Sequence, residues 1–141
     1  MLLTKECDYG IRVIRALADG TKKTVEFIAT EEKIPNKYAY KIVKKLEQAG
    51  FIQSTRGRSG GYRLHKPLNT FNLVDVVLAV DSHRYVHECM RTDSTCTFKS
   101  NPDQLCTVHI ELKRVEALLI SELGSKTMEE VLQRKEDTFV S

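Results

Sequence analysis

Apolar positions recur at helical spacing along most of this chain, with one short interruption by paired strand-like runs. Leu2 to Ala18 reads as a first helix with Ile11, Ile14, Leu17 and Ala18 on its inner side, closed by Asp19-Gly20. Thr24 is placed to cap a second helix running to about Glu32, with Val25, Ile28 and Ala29 facing inward. Ile34-Pro35-Asn36 then turns into a third helix; Pro35 suits a helix start because its missing N–H is not needed there. Tyr38, Ile42 and Leu46 recur every four residues and give this helix one apolar stripe. Gly50 follows where a helix most easily stops. Phe51 to Thr55 and Tyr62 to His65 read as strands, joined by the turn Arg56-Gly57-Arg58-Ser59-Gly60-Gly61.

Beyond the hairpin, Asn72 is placed to cap a short helix carrying Leu73, Val76, Val77 and Val80. Asp81 to Gln104 has little periodicity and holds turn formers such as Asn101-Pro102-Asp103; it is longer than an idle connection. Leu105 to Leu123 resumes helical spacing. Leu105, Val108, Leu112, Val115 and Leu119 alternate steps of three and four, a heptad seam that suits a partner helix or intramolecular packing. Gly124 should end it, Thr127 to Arg134 predicts a last short helix, and Lys135 to Ser141 is expected to fray. The pattern describes a mostly α fold with a small β-hairpin. It divides into residues 1–80, a connecting segment 81–104, and a long helix with its tail, 105–141.

Charge changes the picture at one place. The 141 residues carry a formal charge of only +3, with 41% apolar and 29% charged residues, the profile of an ordinary globular chain. Lys33 to Lys66, however, is crowded with lysine and arginine and contains a single acid, Glu47, which leaves the remainder net acidic. Asn36, Lys37, Lys41, Lys44 and Lys45 fall largely outside the apolar stripe of the third helix. Two short helices joined this tightly frame a helix-turn-helix, whose second helix enters a DNA major groove. An arginine-tipped glycine-rich hairpin directly after it suits a wing against the phosphate backbone or a narrow minor groove. The plain alternative is a solvated amphipathic helix with an ordinary hairpin; the succession of helix and hairpin favours DNA. The expected contacts are Asn36, Lys37, Tyr38, Tyr40, Lys41 and Lys44 on the helix and Arg56, Arg58 and Ser59 on the wing.

Three cysteines cluster late in the chain. Cys89, Cys96 and Cys106 are separated by six and nine residues, and Cys106-Thr107-Val108-His109 places an imidazole at i+3 on a helix. Three thiolates and a histidine can complete a four-ligand metal site. A structural zinc site, inert or redox-active thiols, and an iron–sulfur cluster are all compatible with this set. Zinc sites usually draw on tighter cysteine knuckles than these.

S-T-R-G-R-S-G-G-Y-R-L, preceded by L-E-Q-A-G-F-I, resembles the wing of the IscR/NsrR/CymR family of winged-helix transcription regulators. The resemblance continues in L-T-K-E-C-D-Y-G-I-R near the start and in a cysteine-bearing loop before a long helix, so it covers nearly the whole chain. It implies a homodimer formed through the helix of Leu105, Val108, Leu112, Val115 and Leu119. It also implies an iron–sulfur cluster, two-iron or four-iron, on Cys89, Cys96 and Cys106. The nine residues between Cys96 and Cys106 exceed the family's usual spacing, and some relatives lack a cluster. His109 matches the cysteine-x-x-histidine ending of IscR-like members. Asp8 matches the position from which NsrR-like members supply a carboxylate across the dimer. Either as fourth ligand would leave one iron less tightly held than a thiolate would, which suits a response to nitric oxide, oxygen or cluster loss. Cys7 is a further candidate ligand, or a buried structural thiol.

No apolar run approaches the roughly 20 residues needed to span a membrane. Glu6, Asp8, Arg12 and Arg15 break up any signal-peptide pattern. A cytoplasmic location is expected, where thiols stay reduced. There is no phosphate-binding loop, nucleophile motif or convincing carboxylate pair, so an enzyme is not expected. The expectation is a homodimeric, DNA-binding transcription regulator, a repressor, acting on near-palindromic duplex DNA and sensing redox state, nitric oxide or iron–sulfur status. Its rivals are a cluster-free regulator of the same fold, responding through thiols or a partner protein, and a small electron-transfer protein with a basic docking face.

Overall fold

The computed structural model describes residues 3–81, 86–91, 96 and 106–133. The predicted Asn101-Pro102-Asp103 turn, Leu105 of the heptad seam, Arg134 and the tail Lys135 to Ser141 lie outside the described residues.

Thr4 decides where the first helix begins. Its backbone is extended and its hydroxyl oxygen accepts from the Cys7 backbone N–H at 3.4 Å, satisfying one donor that the first turn cannot satisfy itself. Helix α1 therefore spans Lys5–Ala16, shorter at both ends than the periodicity predicts, and Ala18 is only half-buried in the turn beyond it. Thr24 caps α2 (Val25–Glu31) in the same way, accepting from Phe27 at 3.2 Å. Lys33 crosses between helices with φ 54°, and α3 runs Asn36–Gln48. Its buried face is Ala39, Ile42, Val43 and Leu46, the i, i+3, i+4, i+7 set. Tyr38 is not part of that stripe, contrary to expectation. It stands one residue before Ala39, about 100° round the helix, and is 43% exposed.

Gly50 closes α3. With φ 76° it lets the chain reverse, so that Phe51 N–H reaches the Leu46 carbonyl (3.0 Å) and Gly50 N–H reaches Glu47 (2.9 Å). Phe51 is thereby spent on the cap, and β1 starts one residue late, at Ile52–Thr55. It pairs antiparallel with β2 (Gly61–Leu64), from Ile52 opposite Leu64 to Thr55 opposite Gly61. A reciprocal bridge joins Tyr62 to Lys23 (2.9 and 2.8 Å), fixing the hairpin to the segment that leads into α2.

Asn72 and Asp75 form a reciprocal capping box (3.1 and 2.9 Å) that starts α4 (Leu73–Val80). Helix α5 spans Thr107–Gly124, two residues later than predicted, and α6 spans Met128–Gln133. Ile14, Leu17, Ile28, Ile42, Leu46, Val76 and Val80 build one core from α1 to α4, joined by Ile52 and by an edge-on Phe51–Phe71 pair at 4.9 Å. Met128 of α6 is fully buried in that core, and its N–H donates to Phe71 (2.8 Å). Burying such a side chain contributes about 1.5–3 kcal/mol, enough to bring the C-terminal helix back onto the N-terminal unit. The architecture is a winged helix-turn-helix with an added long helix. Helix α5 itself buries no residue, and no helix among the described residues is long and apolar enough to cross a membrane.

Candidate functional site

Because Ala39, Ile42, Val43 and Leu46 turn inward, Asn36, Lys37, Tyr38, Tyr40, Lys41 and Lys44 are left on the surface of α3. Arg56, Arg58 and Ser59 are exposed at the tip of the hairpin. No carboxylate among the described residues pairs with Lys37, Lys44, Arg56 or Arg58. These four charges are exposed, with no carboxylate partner among the described residues. Ser54 donates to the Glu47 carboxylate, so the first strand of the hairpin is tied to the end of α3.

Three of the expected contacts are engaged inside the protein. Lys41 donates to Glu6, and Lys45 donates to the other oxygen of the same carboxylate at 2.8 Å. The hydrogen bond from Lys41, then that from Lys45, holds the Glu6 carboxyl below its usual range, and Glu6 raises Lys41 in return. Tyr40 donates its hydroxyl to Glu26, which raises the tyrosine and lowers the carboxyl. Tyr38 leans on Tyr9 of α1, ring centroids 5.6 Å apart and tilted by 53°. Neither glutamate was visible as a partner from spacing, because both lie on other helices.

Asp8 is likewise engaged. Arg12 grips its carboxylate with Nε (3.1 Å) and Nη2 (3.0 Å), and donates from Nη1 to the Glu32 carbonyl (3.1 Å). Glu32, the one buried charged side chain among the described residues, is itself paired with Arg15. A continuous polar chain therefore runs from Asp8 to the turn between α2 and α3.

None of the four cysteines is in a disulfide. Cys7 is fully buried on the inner face of α1, and the Thr4 hydroxyl donates to its sulfur at 3.3 Å. Cys89, Cys96 and Cys106 are half-buried. Cys89 Sγ lies 3.8 Å from His109 Nδ1, so the histidine expected beside Cys106 meets Cys89 instead. The segment 86–91 is fastened to α5 by the Val86 N–H, which donates to Glu116 at 2.9 Å. Among the described residues no three His, Cys, Asp or Glu side chains converge as a metal site. The donor chemistry nonetheless fits an iron–sulfur group: accessible thiols, with an imidazole already against one of them.

Residues 3–134 match the protein family described as Rrf2, Iron-dependent Transcriptional regulator. The chain is 31% identical over 146 aligned positions to the HTH-type transcriptional regulator NsrR of Bacillus subtilis (strain 168), covering 97% of this chain and 94% of that protein. Among solved structures it resembles IscR of T. potens (TM-score 0.74, 18% identity, covering 93% of this chain and 85% of that one). It also resembles CymR (YrzC), the global cysteine regulator of B. subtilis (TM-score 0.74, 18% identity, covering 95% and 98%). These relatives are transcription regulators rather than enzymes, and the electron-transfer alternative gives way to that finding.

Proposed function

Since the chain belongs to the Rrf2 family of transcription regulators, we propose that it is a cytoplasmic, homodimeric repressor of near-palindromic DNA sites. Its DNA affinity is set by an iron–sulfur cluster. The observation that carries the DNA surface is the exposed face of α3, where Lys37 and Lys44 have no carboxylate partner among the described residues, together with Arg56 and Arg58 at the hairpin tip. Phosphate contacts from these residues would position the dimer, and base-edge contacts from α3 would select the site. Exposed Val108 and Val115 on α5, with no buried residue on that helix, support a dimer formed there.

Cys89, Cys96 and Cys106 would hold the cluster, with His109 or Asp8 as the fourth ligand; the Cys89–His109 contact supports His109. When bound, such a group supplies iron that reacts with nitric oxide or oxygen. The chain's own contribution is mechanical. Glu116 fixes residues 86–91 on α5, and Arg12 links Asp8 to the turn ahead of α3. A change at either place biases the spacing of the two recognition helices, provided one spacing is favoured over the other by a differential binding energy.

The test is the ultraviolet–visible spectrum of protein purified without oxygen, with iron and sulfide assays, followed by binding to palindromic and random duplexes. Stoichiometric iron and sulfide with preferential retention of the palindrome support the proposal. A colourless, iron-free dimer that still prefers the palindrome favours the cluster-free regulator.

A further inference from the structure

Lys37, Lys41 and Lys44 lie at i, i+4 and i+7 on one exposed face of α3. The outer two have no carboxylate partner among the described residues, while the middle one is held by Glu6 from the first turn of α1. Glu6 is the more enclosed group, 23% exposed against 53% for Lys41. Its second oxygen is anchored by Lys45, which also donates to the Val80 carbonyl at the end of α4. Lys45 thus has two acceptors fixing it in place, whereas Lys41 has Glu6 alone among the described residues. The carboxylate is fixed; the lysine is the part able to leave.

We infer that Glu6 sets the DNA affinity of this protein from within the chain, by holding Lys41 in an ion pair that must open before Lys41 can meet a phosphate. A carboxylate and a phosphate oxygen compete for the same ammonium group. At Lys41, binding exchanges one charge pair for another, where Lys37 and Lys44 form theirs outright. This rests on reading the outer face of α3 as the DNA surface. Glu6 acts through Lys41 and touches no DNA, so it is a positioning residue whose effect is to restrain.

The experiment uses the full chain and four proteins: wild type, Glu6→Gln, Lys41→Gln and the double variant. Each is titrated against a fluorescently labelled random-sequence duplex over a range of salt concentrations, with thermal melts as the control for folding. Random sequence suffices, because the electrostatic part of binding is independent of sequence. Lys41→Gln weakens binding and lowers the salt slope. Glu6→Gln tightens binding roughly two- to fivefold at low salt, the range expected from removing an exposed ion pair. Its log–log salt slope stays close to that of wild type, because Lys41 meets the same phosphate in both, whereas Lys41→Gln lowers the slope by about 0.9. In the double variant the gain disappears.

A gain from Glu6→Gln that persists without Lys41 would be the loss of a distant negative charge, and would overturn the inference. Unchanged or weaker binding by Glu6→Gln, with Lys41→Gln still weakening, would mean that Glu6 presents the lysine instead of withholding it. If Lys41→Gln binds as wild type does, Lys41 meets no phosphate, and the reading of the α3 face fails at that residue before the inference is reached.

Discussion

Cys89 Sγ and His109 Nδ1 stand 3.8 Å apart, although they are twenty positions apart in sequence. The contact is made by folding the segment 86–91 back on α5, where Glu116 receives the Val86 N–H two turns beyond His109. Asp8, the competing candidate for fourth ligand, is instead gripped by Arg12. Replacing His109 with alanine should therefore lower the iron retained after anaerobic desalting more than replacing Asp8 does. Cys96→Ser should abolish visible absorbance with an unchanged far-ultraviolet circular dichroism spectrum. A normally coloured Cys96→Ser protein would exclude that thiol as a necessary ligand.

Arg56 and Arg58 are exposed and have no carboxylate partner among the described residues, so their removal should leave the fold alone and act on DNA. The double alanine variant is expected to bind duplex more weakly, with its salt slope flattened by about 0.9 for each phosphate no longer neutralised. A slope equal to that of wild type would take the wing off the phosphates.

Helix α5 has eighteen residues and buries none of them, while Val108 is 64% and Val115 39% exposed. A helix with an exposed apolar flank of this kind invites a partner. Val108→Glu with Val115→Glu should convert the proposed dimer to a monomer in light scattering, without a change in helical content. A persistent dimer would put the interface elsewhere.

The local devices of this fold can be read along the chain. Thr24, Asn72 and Gly50 act where they stand, through backbone groups within three to five residues, and each appears in its expected role. Errors arose where a neighbour on another element decides the outcome. Tyr38 fits an apolar stripe by spacing, but the core takes Ala39 and Val43, and Tyr38 is left against Tyr9. Met128 looks like one residue of a terminal helix, yet it fills the core beside the Phe71 backbone. The basic face was legible from composition. That Glu6 and Glu26 already occupy Lys41 and Tyr40 was not, since no periodicity links residues on different helices.

Asp19 makes acid sensitivity testable. The Thr21 backbone N–H (2.9 Å) and hydroxyl (2.8 Å), with Lys23 beside them, pull its carboxyl from the ordinary 3.8 down to about 2. A carboxyl lowered in the folded state stabilises it fully above 3.8, and that contribution is lost as pH falls towards 2. Wild type should therefore melt above Asp19→Ala at neutral pH, with the gap closing across that window. A gap that stays constant down to pH 2 would assign it to turn propensity instead of charge.

Gly10 lies where α1 packs tightly against α4, and the balance of two opposing effects there can be measured. A Cβ at this position would lie 2.7 Å from Val80 Cγ2 and 3.5 Å from Val76 Cγ1. Alanine is the better helix former by about 1 kcal/mol, so Gly10→Ala would stabilise an open site. Here the obstructing atom belongs to a buried β-branched side chain with one preferred rotamer in a helix, and overpacking costs about 1–3 kcal/mol. The clash should win, lowering the urea midpoint by an amount equivalent to up to about 2 kcal/mol. Val80→Ala in the same chain should recover part of that loss, because it removes the atom that Cβ meets. The Val80 carbonyl also seats Lys45, so Gly10→Ala should disturb DNA binding as well as stability. An undiminished midpoint would mean that α1 and α4 can move apart at low cost, which the tight seat of Glu6 between α1 and α3 would then have to tolerate.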